Sequence, residues 1–262
     1  MAKKEMSMVS YGIDHRIAYI TINRPEKKNA LNQTLVKELT QVFAKAEKDE
    51  EVKVVVLRAN GDVFSAGADL DYLQDLQKNT YEENLADSDS LKKLFETIYS
   101  FSKVTIAQVE GHAIAGGCGL TTVCDFVFAV PEADFGYTEV KIGFVPALVT
   151  YFLIRKIGEG KARELLLTGE LINANNARYA GLVNYVVKPA EIEEKVHQYA
   201  RNIADRCSGN SIKLTKELIT NLPQLSLDKA LKLASEANAK ARSSDDCKKG
   251  IAAFLGKERI KW

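Results

Sequence analysis

The chain is predicted to be an α/β protein, and three observations lead there. Short apolar runs at 52–57, 104–109 and 125–130 fit strands covered on both faces. Apolar residues recur at helical spacing between them, most clearly Leu35, Leu39, Val42, Phe43 and Ala46. The last third holds helical patterns only.

Taken in order, Ile17 to Ile22 alternates, is rich in β-branched residues, and ends at Arg24-Pro25, so it is the first expected strand. Leu31 to Ala46 is the first amphipathic helix. After the strand at 52–57 comes a small-residue segment, Phe64-Ser65-Ala66-Gly67-Ala68-Asp69-Leu70, where Asp69 is placed to cap a following helix. Leu73 to Leu94, rich in Asp, Glu, Gln and Asn, is expected to be a mobile lid or loose helix. A second small-residue segment, Gly111 to Gly119, follows the strand at 104–109 and leads into apolar Leu120 to Cys124. The last strand is expected over 182–187. Helices are expected over 192–204, 211–220, 227–241 and 246–255, with Asn210, Ser226 and Asp245 as N-caps. Residues 1–200 form the predicted core and 201–262 a helical tail. Helical cover of that size on an α/β core suggests self-association.

With 262 residues, 46% hydrophobic and 27% charged, the chain can bury one large core. A net charge of +1 gives no electrostatic case for nucleic acid or an anionic membrane. The four cysteines lack CxxC or Cys/His metal spacing, so no metal is expected; Cys118 and Cys124 lie in an apolar stretch as buried thiols. Residues 1–10 show no apolar signal core, and Asp125 interrupts the longest apolar run before it reaches membrane-spanning length. A reducing cytoplasm is the expected location.

Two segments could carry chemistry. Glycines in 64–70 and 115–119 let backbone approach a ligand closely and leave N–H groups unshielded. A helix starting in the second segment would turn its free N–H groups and positive dipole end toward a developing anion. Two loops aiming one N–H each at the same oxygen make an oxyanion hole, worth about 3–4 kcal/mol for one donor in measured cases. Either loop alone is more often just a tight turn. Neither matches a phosphate-binding glycine motif. His15, His112 and His197 are dispersed; His112 is the one beside a glycine loop, where a packing or backbone contact is expected. Ser65 has no visible His/Asp partner.

Asn23 to Leu31, Phe64 to Leu70, Gly111 to Asp125, Phe135 to Gly143, and Leu167-Thr168-Gly169 with Ala174, Ala177 and Gly181-Leu182-Val183 together resemble the crotonase family of enoyl-CoA hydratases and isomerases. Gly250 to Lys257 is similar to the family's last helix. The resemblance runs in order over nearly the whole chain. It implies a spiral of β-β-α units, a C-terminal region that builds trimers or hexamers, and an acyl-coenzyme A thioester as substrate, with no separate cofactor. By position it implies that the N–H groups of Ala68 and Gly116 hold the thioester oxygen. It also implies that Lys28, Ala30, Ala66, Asp69 and Leu70 line the coenzyme A groove, and that Phe254 and Lys257 reach the nucleotide end, from a neighbouring subunit if not from their own.

The chain departs from two-carboxylate hydratases at one place. Gly119 stands where they carry a first glutamate, while Glu139 matches the second. Asp125 reads as a structural acceptor at a strand start. Glutamates are most often solvated, but Phe135, Tyr137, Val140 and Ile142 surround Glu139 in sequence and could raise its pKa toward proton-shuttle range. One glutamate can serve hydration or movement of the double bond. The stretch Thr138 to Ala147 looks like that of bacterial methylglutaconyl-CoA hydratases, which favours hydration and a branched acyl group. Gly119 is expected to make room for that bulk or for a water. The other class to weigh is a non-catalytic acyl-CoA or RNA binder; the charge balance speaks against RNA.

Overall fold

The computed structural model describes residues 7–262 and, for Leu70, the backbone alone. β1 (Val9–Asp14) and β2 (Ile17–Ile22) form a hairpin. His15 and Arg16 both turn at positive φ, 47° and 68°, the geometry that matches strand twist in a two-residue loop. α1 (Gln33–Lys48) is capped by Asn32, whose side chain accepts the Leu35 N–H, and buries Leu35, Val36, Leu39, Phe43 and Ala46.

From there strands come in pairs that part between two sheets. β3 (Val54–Ala59) joins a six-stranded sheet and β4 (Val63–Ser65) a four-stranded one. α2 (Leu70–Leu76) and α3 (Tyr81–Tyr99) follow. β5 (Val104–Val109), β6 (His112–Ile114) and α4 (Gly116–Val123) repeat the pattern, as do β7 (Phe126–Ala129) and β8 (Asp134–Gly136). α5 (Ala147–Ile157), α6 (Glu159–Thr168), β9 (Ile172–Asn173), α7 (Ala174–Ala180) and β10 (Tyr185–Val186) complete the core. The large sheet runs β1-β2-β3-β5-β7-β10 and the small one β4-β6-β8-β9. This is the expected β-β-α spiral. The runs that read as doubly covered strands are central in the large sheet: Val54, Val55, Val56, Ile106 and Ala107 have no exposed surface.

α8 (Pro189–Arg206) spans the 200/201 boundary and packs Ile192, Val196, Ala200 and Ala204 into the core. α9 (Gly209–Asn221) buries Leu214, whereas α10 (Leu227–Ser243) and α11 (Asp245–Leu255) hold half-buried residues but no fully buried one.

Several local expectations are corrected. The 73–94 segment is no loose lid: most of it is α3, started by a Thr80/Glu83 capping box and seated on α1. Ser208 and Ser244, not Asn210 and Asp245, cap α9 and α11, while Ser226 stands before α10 without a side-chain cap bond. The strand expected over 182–187 shrinks to Tyr185–Val186, because the turn after α7 takes the preceding residues. Helices α5, α6 and α7 add to the elements the sequence predicts.

Candidate active site

The two small-residue loops are built on the N-terminal turn 24–31. Arg24 donates to the Ala30 carbonyl (3.0 Å), and buried Asn29 donates to the carbonyls of Asn60 (2.8 Å) and Val63 (2.7 Å), tying the turn to the entrance of β4. The exposed Lys28 accepts the Ala66 N–H through its carbonyl (3.0 Å), and Ala30 is buried behind it. Leu31 then makes a parallel bridge to Ala68: the Leu31 N–H donates to Gly67 O (2.6 Å), and the Asp69 N–H to Leu31 O (3.0 Å). Neighbouring N–H groups of an extended chain point to opposite sides. The Ala68 N–H therefore faces away from Leu31, and it takes no backbone partner among the described residues.

The second loop is packed against the first. A Cβ on Gly67, at φ 90°, would stand 2.9 Å from Ala115 Cβ, and one on Gly117 2.5 Å from Ser65 O. Only glycine permits so close an approach. Ala115 sits at φ 50°, ψ −122°, a conformation L-residues rarely adopt. Its N–H donates to Gly136 O (2.8 Å), which holds the turn on β8. Gly116 thereby becomes the first residue of α4, where N–H groups have no partner within the helix. A Cβ on Gly116 would lie 3.0 Å from Leu31 Cδ1, so Gly116 and Ala68 stand around the same leucine.

Glu139 begins the short 3-10 turn Glu139–Ile142 that leaves β8 after Tyr137 and Thr138. It is half-buried, and its Oε2 is fully buried without a hydrogen-bond partner among the described residues. Burial pushes its carboxyl above the ordinary 4.5, and a bond from its own backbone N–H opposes this only partly. The apolar surroundings differ from those expected. Val140 and Ile142 are exposed; Phe135 and Tyr137 are the fully buried neighbours.

Asp69 looks inward. It pairs with Arg24 (2.5 Å) and accepts the Asp71 N–H as N-cap of α2. Burial pushes its carboxyl up, but the Arg24 guanidinium and the Asp71 N–H outweigh that and hold it below the usual range. Its side chain is thus committed to the loop, and its backbone is bonded too, the N–H to Leu31 O and the carbonyl to the Leu73 N–H (2.9 Å), so Asp69 shapes the loop rather than offering a free group. Leu70 opens α2; its side chain lies outside the described residues. Phe254, 82% exposed, lies near the end of α11, and Lys257 just beyond; α11 packs chiefly on α10.

The space at Gly119 is not vacant. A Cβ there would lie 2.6 Å from Val149 Cγ1 and 2.7 Å from Phe95 Cζ, and both side chains are buried. The glycine admits side chains of α3 and α5, which corrects the expectation of room for acyl bulk or water. Phe95 and Val149 gave no signal in the sequence, since their meeting depends on how α3 and α5 fold over α4.

Asp125 is structural, accepting the Thr105 N–H (2.7 Å) and hydroxyl (3.0 Å) and pairing with Lys216. His112 is exposed and accepts the Asp134 N–H at Nδ1 (3.1 Å), the backbone contact expected. His15 and His197, distant in sequence, meet at 6.2 Å between ring centroids, with Asp14 on His15 and Tyr19 on His197. The thiols of Cys118 and Cys124 are buried, pushed up to about 11 and about 12 by that burial, and are poor nucleophiles.

The family model for enoyl-CoA hydratase/isomerase matches residues 12–262. A Thermus thermophilus relative is 43% identical over 92% of this chain and 95% of its own. A short-chain-enoyl-CoA hydratase from Clostridium acetobutylicum is 35% identical over 98% and 97%. The crystal structure of an enoyl-CoA hydratase from Shewanella pealeana superposes with a TM-score of 0.93 at 28% identity, covering 99% and 97%. With sequence match and spiral fold in agreement over the whole described length, the chain belongs to the enoyl-CoA hydratase/isomerase family of crotonase-fold enzymes.

Proposed function

We propose that this protein is an enoyl-CoA hydratase that adds water across a 2-enoyl thioester. The observation that carries the proposal is Glu139, with a buried carboxylate oxygen unpartnered among the described residues, beside two loops whose glycines bring the Ala68 and Gly116 backbones together. The two N–H groups would receive the thioester oxygen as it gains enolate charge. Each such donor is worth about 2.7–4 kcal/mol when removed in measured cases. Glu139, destabilised as an anion by its surroundings, would take a proton from water as it attacks the β-carbon and deliver one to the α-carbon. Backbone around Lys28, Ala30, Ala66, Asp69 and Leu70 would line the coenzyme A groove; Phe254 and Lys257 would meet the nucleotide end across a subunit contact. Exposed Leu227, Leu231, Ile251, Phe254 and Leu255 on α10 and α11 support a trimer, single or paired into a hexamer. The similarity of residues 138–147 to methylglutaconyl-CoA hydratases supports a branched acyl group such as 3-methylglutaconyl.

One observation favours isomerisation instead: Phe95 and Val149 fill the place where a second carboxylate would stand, leaving Glu139 to move protons alone. Mass spectrometry of a 2-enoyl-CoA panel, 3-methylglutaconyl-CoA included, in heavy water separates the two. Gain of a water mass supports hydration and names the acyl group; deuterium uptake without water gain supports the isomerase. Neither change on any member, at saturating thioester, would overturn both.

A further inference from the structure

Two ties join the strand that delivers Glu139 to the helix that opens at Gly116. One is the backbone bond from the Ala115 N–H to Gly136 O (2.8 Å). The other is made by a side chain. Tyr137, two residues before Glu139, is fully buried, and its hydroxyl lies 2.5 Å from Thr122 Oγ1 on α4. The Thr122 hydroxyl, also buried, lies 2.9 Å from the Cys118 carbonyl in the first turn of α4. A threonine has one hydroxyl proton. Donated to Cys118 O, it leaves Thr122 Oγ1 to accept from Tyr137; donated to Tyr137, it leaves the Cys118 carbonyl to the Thr121 hydroxyl (2.8 Å), and in either case the Tyr137–Thr122 bond ties the end of β8 to α4.

We propose that the Tyr137 hydroxyl is a positioning group, setting the separation between the Glu139 carboxylate and the oxyanion-binding N–H of Gly116 through Thr122 and the first turn of α4. The inference rests on the reading of Glu139 and Gly116 given above. Tyr137 touches neither substrate nor reacting atoms in this arrangement; it acts through what it holds. Burial drives its phenol far above the ordinary range, so the hydroxyl that makes the tie keeps its proton at any working pH. A proton shuttle and an oxyanion site must agree to a fraction of an ångström, because small misplacements cost far more in turnover than in binding. A fully buried tyrosine whose only task was to fill the core could be phenylalanine.

Tyr137→Phe and Thr122→Val each keep the shape and remove the tie. Each is expected to lower kcat on the best enoyl-CoA about tenfold or more, with KM within about twofold of wild type. The double variant should be no slower than the worse single one, because both delete one link. Thr122→Ser, which restores a hydroxyl, should recover most of the loss. Thermal melts identify variants that fail to fold, and kinetics are read well below the melting midpoint. Variants that melt earlier yet keep wild-type kcat would reduce the tie to a stability element and overturn the proposal; so would fully multiplicative losses in the double variant. If wild type itself turns over no enoyl thioester, the functional reading fails and this inference with it, whereas an active wild type with unaffected variants defeats the inference alone.

Discussion

Burial governs what Glu139 can do, and it leaves a signature in stability as well as in turnover. The folded state disfavours the anion, so the Glu139 carboxyl titrates above 4.5. A carboxyl with a raised folded pKa favours folding fully below its unfolded pKa, and that contribution is lost as pH rises through the folded value. Glu139→Gln, which is neutral throughout, should therefore melt higher than wild type at about pH 7–8 and at nearly the same temperature near pH 4. An unchanged gap across that range would contradict the burial argument. The ionised carboxylate is also the form that accepts a proton, so kcat/KM should fall on the acid side with a midpoint above 4.5. A limb at the ordinary carboxylate value would mean that another group titrates. Asp69 behaves in the opposite sense: its lowered carboxyl stabilises the loop above its unfolded pKa, and the support is lost as pH falls through the depressed value. Asp69→Asn should unpair Arg24 and cost about 3–5 kcal/mol, the usual loss on breaking a buried pair, as a urea melt would measure.

Between elements, contact is made by absent side chains. Gly117 lets α4 lie on Ser65 of β4, and Gly119 lets α3 and α5 close on α4. Gly117→Ala would drive a methyl to 2.5 Å from Ser65 O and 2.6 Å from Ser65 Cβ; destabilisation of about 1–3 kcal/mol is expected, together with loss of turnover from a displaced Gly116. Gly119→Glu is a sharper case. From sequence, it should simply supply a second carboxylate. From the packing, it would push a buried charge into Phe95 and Val149, and the substitution alone should lower both stability and activity. Higher hydratase activity from the single substitution would contradict the filled space. Here the limit of the sequence is physical: motif spacing places Gly119 beside Gly116 and Gly117 of the proposed oxyanion loop, but nothing local tells that residue 95 arrives from one side and residue 149 from the other. The Thr80/Glu83 box is legible in the sequence, but polar residues on the outer face of a helix seated on α1 give 73–94 the same composition as a loose loop.

Across the whole molecule, the large parallel sheet was the most legible part, since strands covered on both faces read as continuous apolar runs whatever their order. The small sheet was not: β4, β6, β8 and β9 are two or three residues long, too short for any periodicity to show. The C-terminal helices were legible from spacing alone, and their placement explains the spacing only in part. α10 and α11 are amphipathic yet hold no fully buried residue, and Leu227, Leu231, Ile251, Phe254 and Leu255 on them stay exposed among the described residues. Sedimentation should give three or six times the chain mass, and charges introduced at Leu227 and Leu231 should lower it; a monomer at micromolar concentration would contradict the proposed assembly. Among the described residues no helix is long and apolar enough to cross a membrane.

The most direct test of the central claim, that Glu139 moves the proton beside the Ala68 and Gly116 N–H groups, is single-turnover kinetics of Glu139→Gln against wild type on the preferred enoyl-CoA. Turnover should fall by about 10²–10⁴-fold, the usual worth of a positioned acid–base group, while the dissociation constant of the thioester stays within about twofold. A variant that turns over within a few-fold of wild type would show that the proton passes through some other group.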